Sequence, residues 1–285
     1  MLSYAKGSDS MLKKIDRGAV FLEKNYQLFR CPKCHESFLK NNYQLICKNN
    51  HQYDLSKKGT IYFLEHQVKT GYDKNLFLPR GRMIRSGMYQ PVIEQLAEWI
   101  DPGKLLDVGC GEGSFLAELN QLKPNEATIG FDLAKEGIYL ATDQSIDSFW
   151  CVADLTNLPF ADQAFDTILN IFSPSHYKEF RRTLREDGKV IKVVPQENYL
   201  RELREAYYPE GKPYSNEAVI ERFNMEMSVE KQTRLTYQFE IPEENQLDLL
   251  EMSPLEWHVD PVIKQGLRAK PLEKITIDVE ILKGY

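Results

Sequence analysis

The chain has 285 residues, of which 42% are hydrophobic and 11% aromatic, enough to bury one large core or one large and one small core. No window holds 18 consecutive apolar residues, so no transmembrane helix is expected. The formal charge of -6 conceals two blocs. Residues 11–85 carry 15 Lys and Arg against 6 Asp and Glu, net +9, whereas residues 86–285 carry 20 against 35, net -15. A basic front on an acidic body suits approach to a polyanion, and equally a solvated lysine-rich surface.

Residues 1–10 are polar and lack the apolar stretch of a secretory signal, so this segment is set aside from the fold and the protein is expected in the cytoplasm. Residues 1–20 read as an N-terminal extension. Residues 21–64 read as short strands and turns around three cysteines. Cys31-Pro32-Lys33-Cys34 is followed after twelve residues by Cys47 and then by His51. Two cysteines two residues apart can face one ion from a single tight turn, and a second pair completes a tetrahedron. Cys31, Cys34, Cys47 and His51 leave no open position, which makes the expected zinc structural. Ordinary buried cysteines are the plainer alternative, and His35 is a poorer fourth ligand because it directly follows Cys34. The metal would supply folding energy that some fifty residues cannot find in a core of their own. On that basis the finger and the remainder are expected to fold separately.

Residues 65–85 are polar, contain Gly71, Pro79 and Gly81, and read as a linker. Arg80, Arg82 and Arg85 could carry a phosphate track along it. Residues 83–100 have helical spacing, with Val92, Leu96 and Ile100 on one face. From residue 104 strands alternate with helices: strands at 105–108, 127–131, 149–153, 165–172 and 189–194, and helices at 114–121, 137–142 and 178–184. Such alternation predicts an α/β domain over residues 86–285 with a parallel, doubly wound sheet. Two further alternating segments, 234–241 and 274–282, suit strands at its edge.

The strand 105–108 runs into Gly109-Cys110-Gly111-Glu112-Gly113 and then into a helix. Glycines there let a ligand approach the backbone, and the helix start offers free N–H groups. Dinucleotide-binding folds share such a motif. Three features separate this chain from them. Asp107 lies inside the strand, where it can accept from a cationic amino group. The glycine spacing is G-x-G-x-G. Asp132 closes the second strand, where it can hold ribose hydroxyls, and Asp154 closes the third, where it can meet an adenine edge. The turn after the fourth strand, Asn170 to Pro174, falls where substrate would meet cofactor. Phe172 could stack on a base and Asn170 could hold its edge, or both could simply pack a turn. His176 is read as a surface residue rather than a base.

These residues, with Ala153-Asp154-Leu155, Leu158-Pro159-Phe160 and Phe165-Asp166-Thr167-Ile168, resemble the class I S-adenosylmethionine-dependent methyltransferases. That resemblance implies a seven-stranded sheet whose last strand is antiparallel. With the cysteine module, Gly59 and Gly87-x-Tyr89-Gln90-Pro91, the chain over 21–285 resembles the bacterial 23S rRNA guanine-N1-methyltransferases. The resemblance implies methylation of one guanine in a hairpin at the peptide-exit tunnel, guanine 748 in the Gram-positive branch towards which this sequence leans. It further implies cofactor contacts from Tyr89, Gly111, Glu112 and the position of Tyr199, where the other branch carries histidine. A homodimer clasping the hairpin is a further expectation. The competing readings are a small-molecule methyltransferase stabilised by its finger and a non-catalytic RNA-binding module.

Overall fold

A computed structural model describes residues 12–211 and 214–285. The set-aside residues 1–10 lie outside this range. The chain opens with helix α1 (Lys14–Asn25), which crosses the expected boundary between extension and finger. Strands β1 (Phe38–Leu39), β2 (Gln44–Cys47) and β3 (Gln52–Asp54) form a small antiparallel sheet. Strand β4 (Ile61–Tyr62) leaves that sheet and pairs in parallel with the third strand of the large one.

Helix α2 (Lys74–Met83) occupies the segment read as a linker, and Asp73 caps its start by accepting from the N–H groups of Asn75 and Leu76. The helical spacing over 83–100 is real but broken. Gly87, at φ 91°, ends a single wide turn, and α3 (Gln90–Trp99) starts afresh with Pro91 in its first turn. Val92, Ile93, Leu96 and Trp99 of α3 are buried.

The doubly wound body follows as β5 (Lys104–Val108), α4 (Ser114–Leu122), β6 (Ala127–Asp132), α5 (Lys135–Ala141), β7 (Phe149–Val152), β8 (Phe165–Ile171), α6 (Tyr177–Thr183) and β9 (Leu184–Pro195). The tail adds α7 (Arg201–Tyr207), α8 (Glu217–Glu226), β10 (Val229–Glu240), α9 (Gln246–Glu251), α10 (Pro261–Ala269) and β11 (Lys274–Gly284). The sheet order is β10-β11-β9-β8-β5-β6-β7-β4. β11 runs antiparallel to β9 and to β10, and the remaining neighbours are parallel. The seven strands of the expected fold are present, and the count is eight because β4 covers the edge strand β7. An uncovered edge would expose a row of unpaired N–H and C=O groups.

That eighth strand also joins the cores. Phe29 of the finger packs on Phe149 and Phe160 of the body, 5.5 Å and 5.6 Å away between ring centroids, and Phe63 stacks on Phe29 at 6.1 Å. Phe21 of α1 stacks on Phe149 at 5.2 Å. Cys31, Cys47, Leu45 and Phe38 belong to the same apolar cluster as Leu106, Ile129 and Ile168 of the central strands. The expectation that finger and body fold separately is therefore corrected. The finger is too small to bury its apolar side alone, and it does so against the sheet.

Candidate active site and metal centre

The sulfurs of Cys31, Cys34 and Cys47 and a ring nitrogen of His51 lie within 4.8 Å of one another. Cys31 Sγ is 3.4 Å and Cys47 Sγ 3.5 Å from His51 Nδ1, and the sulfurs of Cys34 and Cys47 are 3.6 Å apart. A tetrahedral zinc with bonds of about 2.3 Å to sulfur and about 2.0–2.1 Å to nitrogen has ligand–ligand edges of roughly 3.5–3.8 Å, which these separations match. His35 and Asn50 hold positive φ, 61° and 59°, and turn the two knuckles that aim the four ligands inward. His35 is outside the cluster. The His51 N–H donates to Cys47 Sγ at 3.3 Å, a hydrogen bond suited to a thiolate.

At the C-terminal edge of the sheet lies a cavity of ≈ 440 Å³. Gly109, Asp132, Asp154, Phe172 and Arg80 line it. The Asp132 carboxylate accepts from the Gly111 N–H at 2.9 Å and, through its other oxygen, from the Ala134 N–H at 2.8 Å. Both oxygens keep further lone pairs for a ligand's hydroxyls. Gly109 and Gly111 have φ of 70° and 56°. A Cβ on Gly109 would sit 2.7 Å from the Ser173 Cβ, and one on Gly111 3.1 Å from the Phe77 ring, so the turn tolerates no side chain at either place. Asp154 is exposed at the rim and accepts from the N–H and hydroxyl of Thr156.

Asp107 and Glu112 do not line the cavity; they are buried beside it. Burial, with the charges of Asp132 and Glu112 nearby, pushes the Asp107 carboxyl up to about 7. Burial also raises Glu112 and Asp132, and the Arg80 guanidinium opposes that rise in both. Gly113 is at φ 80°, packed where a Cβ would meet the Trp150 ring at 2.6 Å. The Tyr89 and Tyr199 hydroxyls share a hydrogen bond, and their rings join Phe115 and Phe172 in an aromatic cluster with centroids 5.0–5.9 Å apart. The Tyr199 hydroxyl is thus held by another tyrosine.

Arg82 and Arg85 are exposed and Arg80 is partly buried, and each of the three is engaged within the chain. Arg82 grips Asp248 with two nitrogens, and Arg85 donates to the Ser114 hydroxyl at 2.9 Å. Arg80 turns to the cavity and donates to the Met252 carbonyl at 3.1 Å. The linker is a helix, so these side chains pin it to the catalytic body. Asn170 is likewise unavailable to hold a base edge. It is fully buried, and its amide nitrogen donates to Ser173 Oγ and the Pro174 carbonyl. His176 caps α6 by accepting from the Glu179 N–H.

The cavity has walls that local patterning did not single out. Thr70, Gly71 and Tyr72 and the distant Trp257 close one side, with Tyr72 edge-on to Trp257 at 5.5 Å. In the sequence Trp257 is a lone tryptophan in a polar segment, and its place at the cavity comes from the fold.

Residues 106–193 match the family described as Methyltransferase domain, and residues 29–71 the family described as RlmA, N-terminal, a zinc ribbon. The chain is 39% identical over 275 residues to "Putative 23S rRNA (guanine-N(1)-)-methyltransferase YxjB" of Bacillus subtilis (strain 168), covering 91% of this chain and 98% of that protein. It is 27% identical over 242 residues to the 23S rRNA (guanine(748)-N(1))-methyltransferase of Streptomyces fradiae, covering 81% and 86%. The methyltransferase domain implies S-adenosylmethionine and the zinc ribbon implies zinc, and the cavity with its glycine turn and the Cys₃His cluster fit them. Glycine turn, acidic strand ends, zinc ribbon and full-length likeness converge, and the chain belongs to the family of 23S rRNA (guanine-N1)-methyltransferases.

Proposed function

We propose that this protein methylates N1 of a guanine in a 23S rRNA hairpin near the peptide-exit tunnel, at guanine 748, with S-adenosylmethionine as donor. The observation that carries the reading is a juxtaposition. Asp154 at the rim of the cofactor cavity also lines a groove whose opposite wall is Pro32 and Lys33 of the first zinc knuckle. An RNA held by the basic finger would thus lie beside the methyl donor. The Streptomyces fradiae relative, named for guanine 748, supports the choice of base.

Asp132 would take the ribose hydroxyls and Asp154 the adenine edge. Asp107 would support the amino end of the methionine moiety from its buried place beside the cavity. Arg80, the cation lining the cavity, would meet its carboxylate. Tyr89, Glu112 and Tyr199 would support the methionine end from behind the wall. The bound donor supplies an electrophilic methyl group. The protein's part is alignment and exclusion of water. Reaching a paired guanine requires a loop substrate or an extruded base. A homodimer clasping the hairpin belongs to the same proposal, and a monomer by light scattering at working concentration removes it.

The test is transfer of labelled methyl from S-adenosylmethionine to rRNA from a strain lacking this protein, followed by mapping of the modified nucleotide. Label at N1 of guanine 748 is expected. Label on another guanine would overturn the choice of base. No label on RNA from a protein that binds donor and zinc would overturn the RNA reading in favour of a small-molecule acceptor.

A further inference from the structure

Phe172, Ser173 and Pro174 are shared by two neighbouring cavities, the cofactor cavity and a second one of ≈ 520 Å³, so a base in the second would meet the donor across this common rim. The second cavity lies between the ends of β8 and β9 and helix α8. Tyr177, Lys192, Asn216 and Arg222 contribute to its walls. Phe172 holds φ 54°, a strained conformation for a residue with a side chain.

Lys192 is the unusual member. It sits in mid-strand on β9, paired with Asn170 of β8 and Leu282 of β11, and is 3% exposed. Its ammonium donates to Asn170 Oδ1, to the Ser173 carbonyl at 3.1 Å and to the Ser175 hydroxyl at 2.9 Å. These acceptors are neutral. No carboxylate lines the cavity among the described residues. The ionisable groups that share it are Tyr177 on α6, Tyr214 ahead of α8 and Arg222 on α8. Glu280, on the neighbouring β11, accepts from Gln232. A buried cation without an anionic partner is costly, and burial lowers Lys192 to about 8. A neutral residue could have braced the turn at less cost. The arrangement is favourable once an anion enters the cavity.

The acceptor chemistry supplies one. Guanine N1 bears a proton that must pass to water, leaving negative charge spread over N1 and O6. N1 then bonds the methyl carbon, whose bond to sulfur breaks with the electron pair staying on sulfur. We propose that the second cavity receives the acceptor guanine and that Lys192 stabilises the charge that develops over its O6 and N1. The inference rests on the proposed function. With its N–H groups directed at the turn, Lys192 is a positioning residue: it acts through its charge and through the Asn170–Ser175 segment that it braces.

The test uses the full chain with zinc. A 23S hairpin transcript carrying 6-thioguanosine in place of guanosine is irradiated at long wavelength in the presence of S-adenosylhomocysteine, and the crosslinked peptides are mapped. Adducts are expected in the segments holding Phe172 and Tyr214. Adducts confined to other segments would overturn the pocket. Ala218→Trp on exposed α8 places an indole in the cavity without entering the core. It should abolish both crosslink and transfer while cofactor affinity stays within about twofold; retained crosslink and transfer would also overturn the pocket. Lys192→Met should lower single-turnover transfer on the order of 10-fold, the scale of a buried unit charge acting through space. The wild-type rate should level off at high pH as Lys192 loses its proton, and Lys192→Met should remove that levelling. Lys192→Arg should recover part of the rate, whereas Ser175→Ala, which removes one brace and keeps the charge, should cost far less than Lys192→Met. Equal losses in Ser175→Ala and Lys192→Met, with an unchanged pH profile, would reduce Lys192 to a brace. If wild-type protein transfers no methyl to RNA, the functional reading fails. If wild type transfers and Lys192→Met does so equally well, the lysine inference alone fails.

Discussion

Removing the zinc should cripple the cofactor site some distance away. Cys47→Ser deletes one ligand of the cluster, and Cys47 is fully buried, so no other group can take its place. A structural zinc contributes on the order of 10–16 kcal/mol to the folding of small zinc modules, so the finger should not hold its shape without it. Two large rings of the catalytic body, Phe149 and Phe160, are walled on one side by Phe21 and Phe29, with Phe63 stacked on Phe29. At roughly 1.5–3 kcal/mol for each fully buried side chain, losing that wall costs about 3–5 kcal/mol if most of the burial is lost. β7 also loses its partner β4, and β7 leads directly to Asp154. For a chain of this size, about 2–4 °C per kcal/mol gives a fall in Tm of roughly 6–20 °C. Differential scanning calorimetry should show a single transition in the wild type, moved down in the variant, and titration calorimetry should show S-adenosylmethionine affinity falling with it. Two separate transitions, or a cofactor affinity untouched in a zinc-free protein, would refute the shared core.

Asp132→Ala removes the acceptor of the Gly111 and Ala134 N–H groups together with the proposed ribose contact. At about 1.5–3 kcal/mol for a hydrogen bond to a charged group, cofactor affinity should fall roughly 10- to 150-fold by titration calorimetry, while RNA binding by filter retention persists. An unchanged affinity would free Asp132 from that role. The pH dependence of the ligand-free protein follows from Asp107, whose carboxyl is raised to about 7. Between the ordinary aspartate range, near 4, and 7, the folded state holds this proton more tightly than the unfolded chain, so stability should decline as pH rises through that window. Asp107→Asn should lessen the decline in urea midpoints from pH 5 to pH 8; an identical slope in the variant would place the titration elsewhere. If the basic front neutralises phosphates as proposed, RNA affinity should fall linearly with salt on logarithmic axes. A flat response would remove the finger from RNA binding.

Much was legible locally. Cys31, Cys34, Cys47 and His51 announce a metal because ligand spacing is a short-range property of the chain. The body was legible because its first three strands are apolar runs that lead into a glycine or an aspartate, and Gly109, Asp132 and Asp154 mark those ends without reference to any partner. Tertiary structure decided what depends on groups remote in sequence. Lys192 reads as one polar residue in a strand until β8 sets Asn170 beside it and the following turn brings Ser173 and Ser175 within reach. Arg82 reads as a free cation until Asp248 arrives from the tail. Trp257 reads as a surface aromatic until it meets Tyr72 across the cavity mouth. β4 is two residues long, too short for any periodicity, and its place beside β7 comes from the edge it covers and from the Phe29–Phe149 contact beneath it. Chain-local spacing and turn chemistry determine which ligands and strand ends exist; burial against distant elements determines which charges stay free to act and joins the zinc module and the cofactor site in one core.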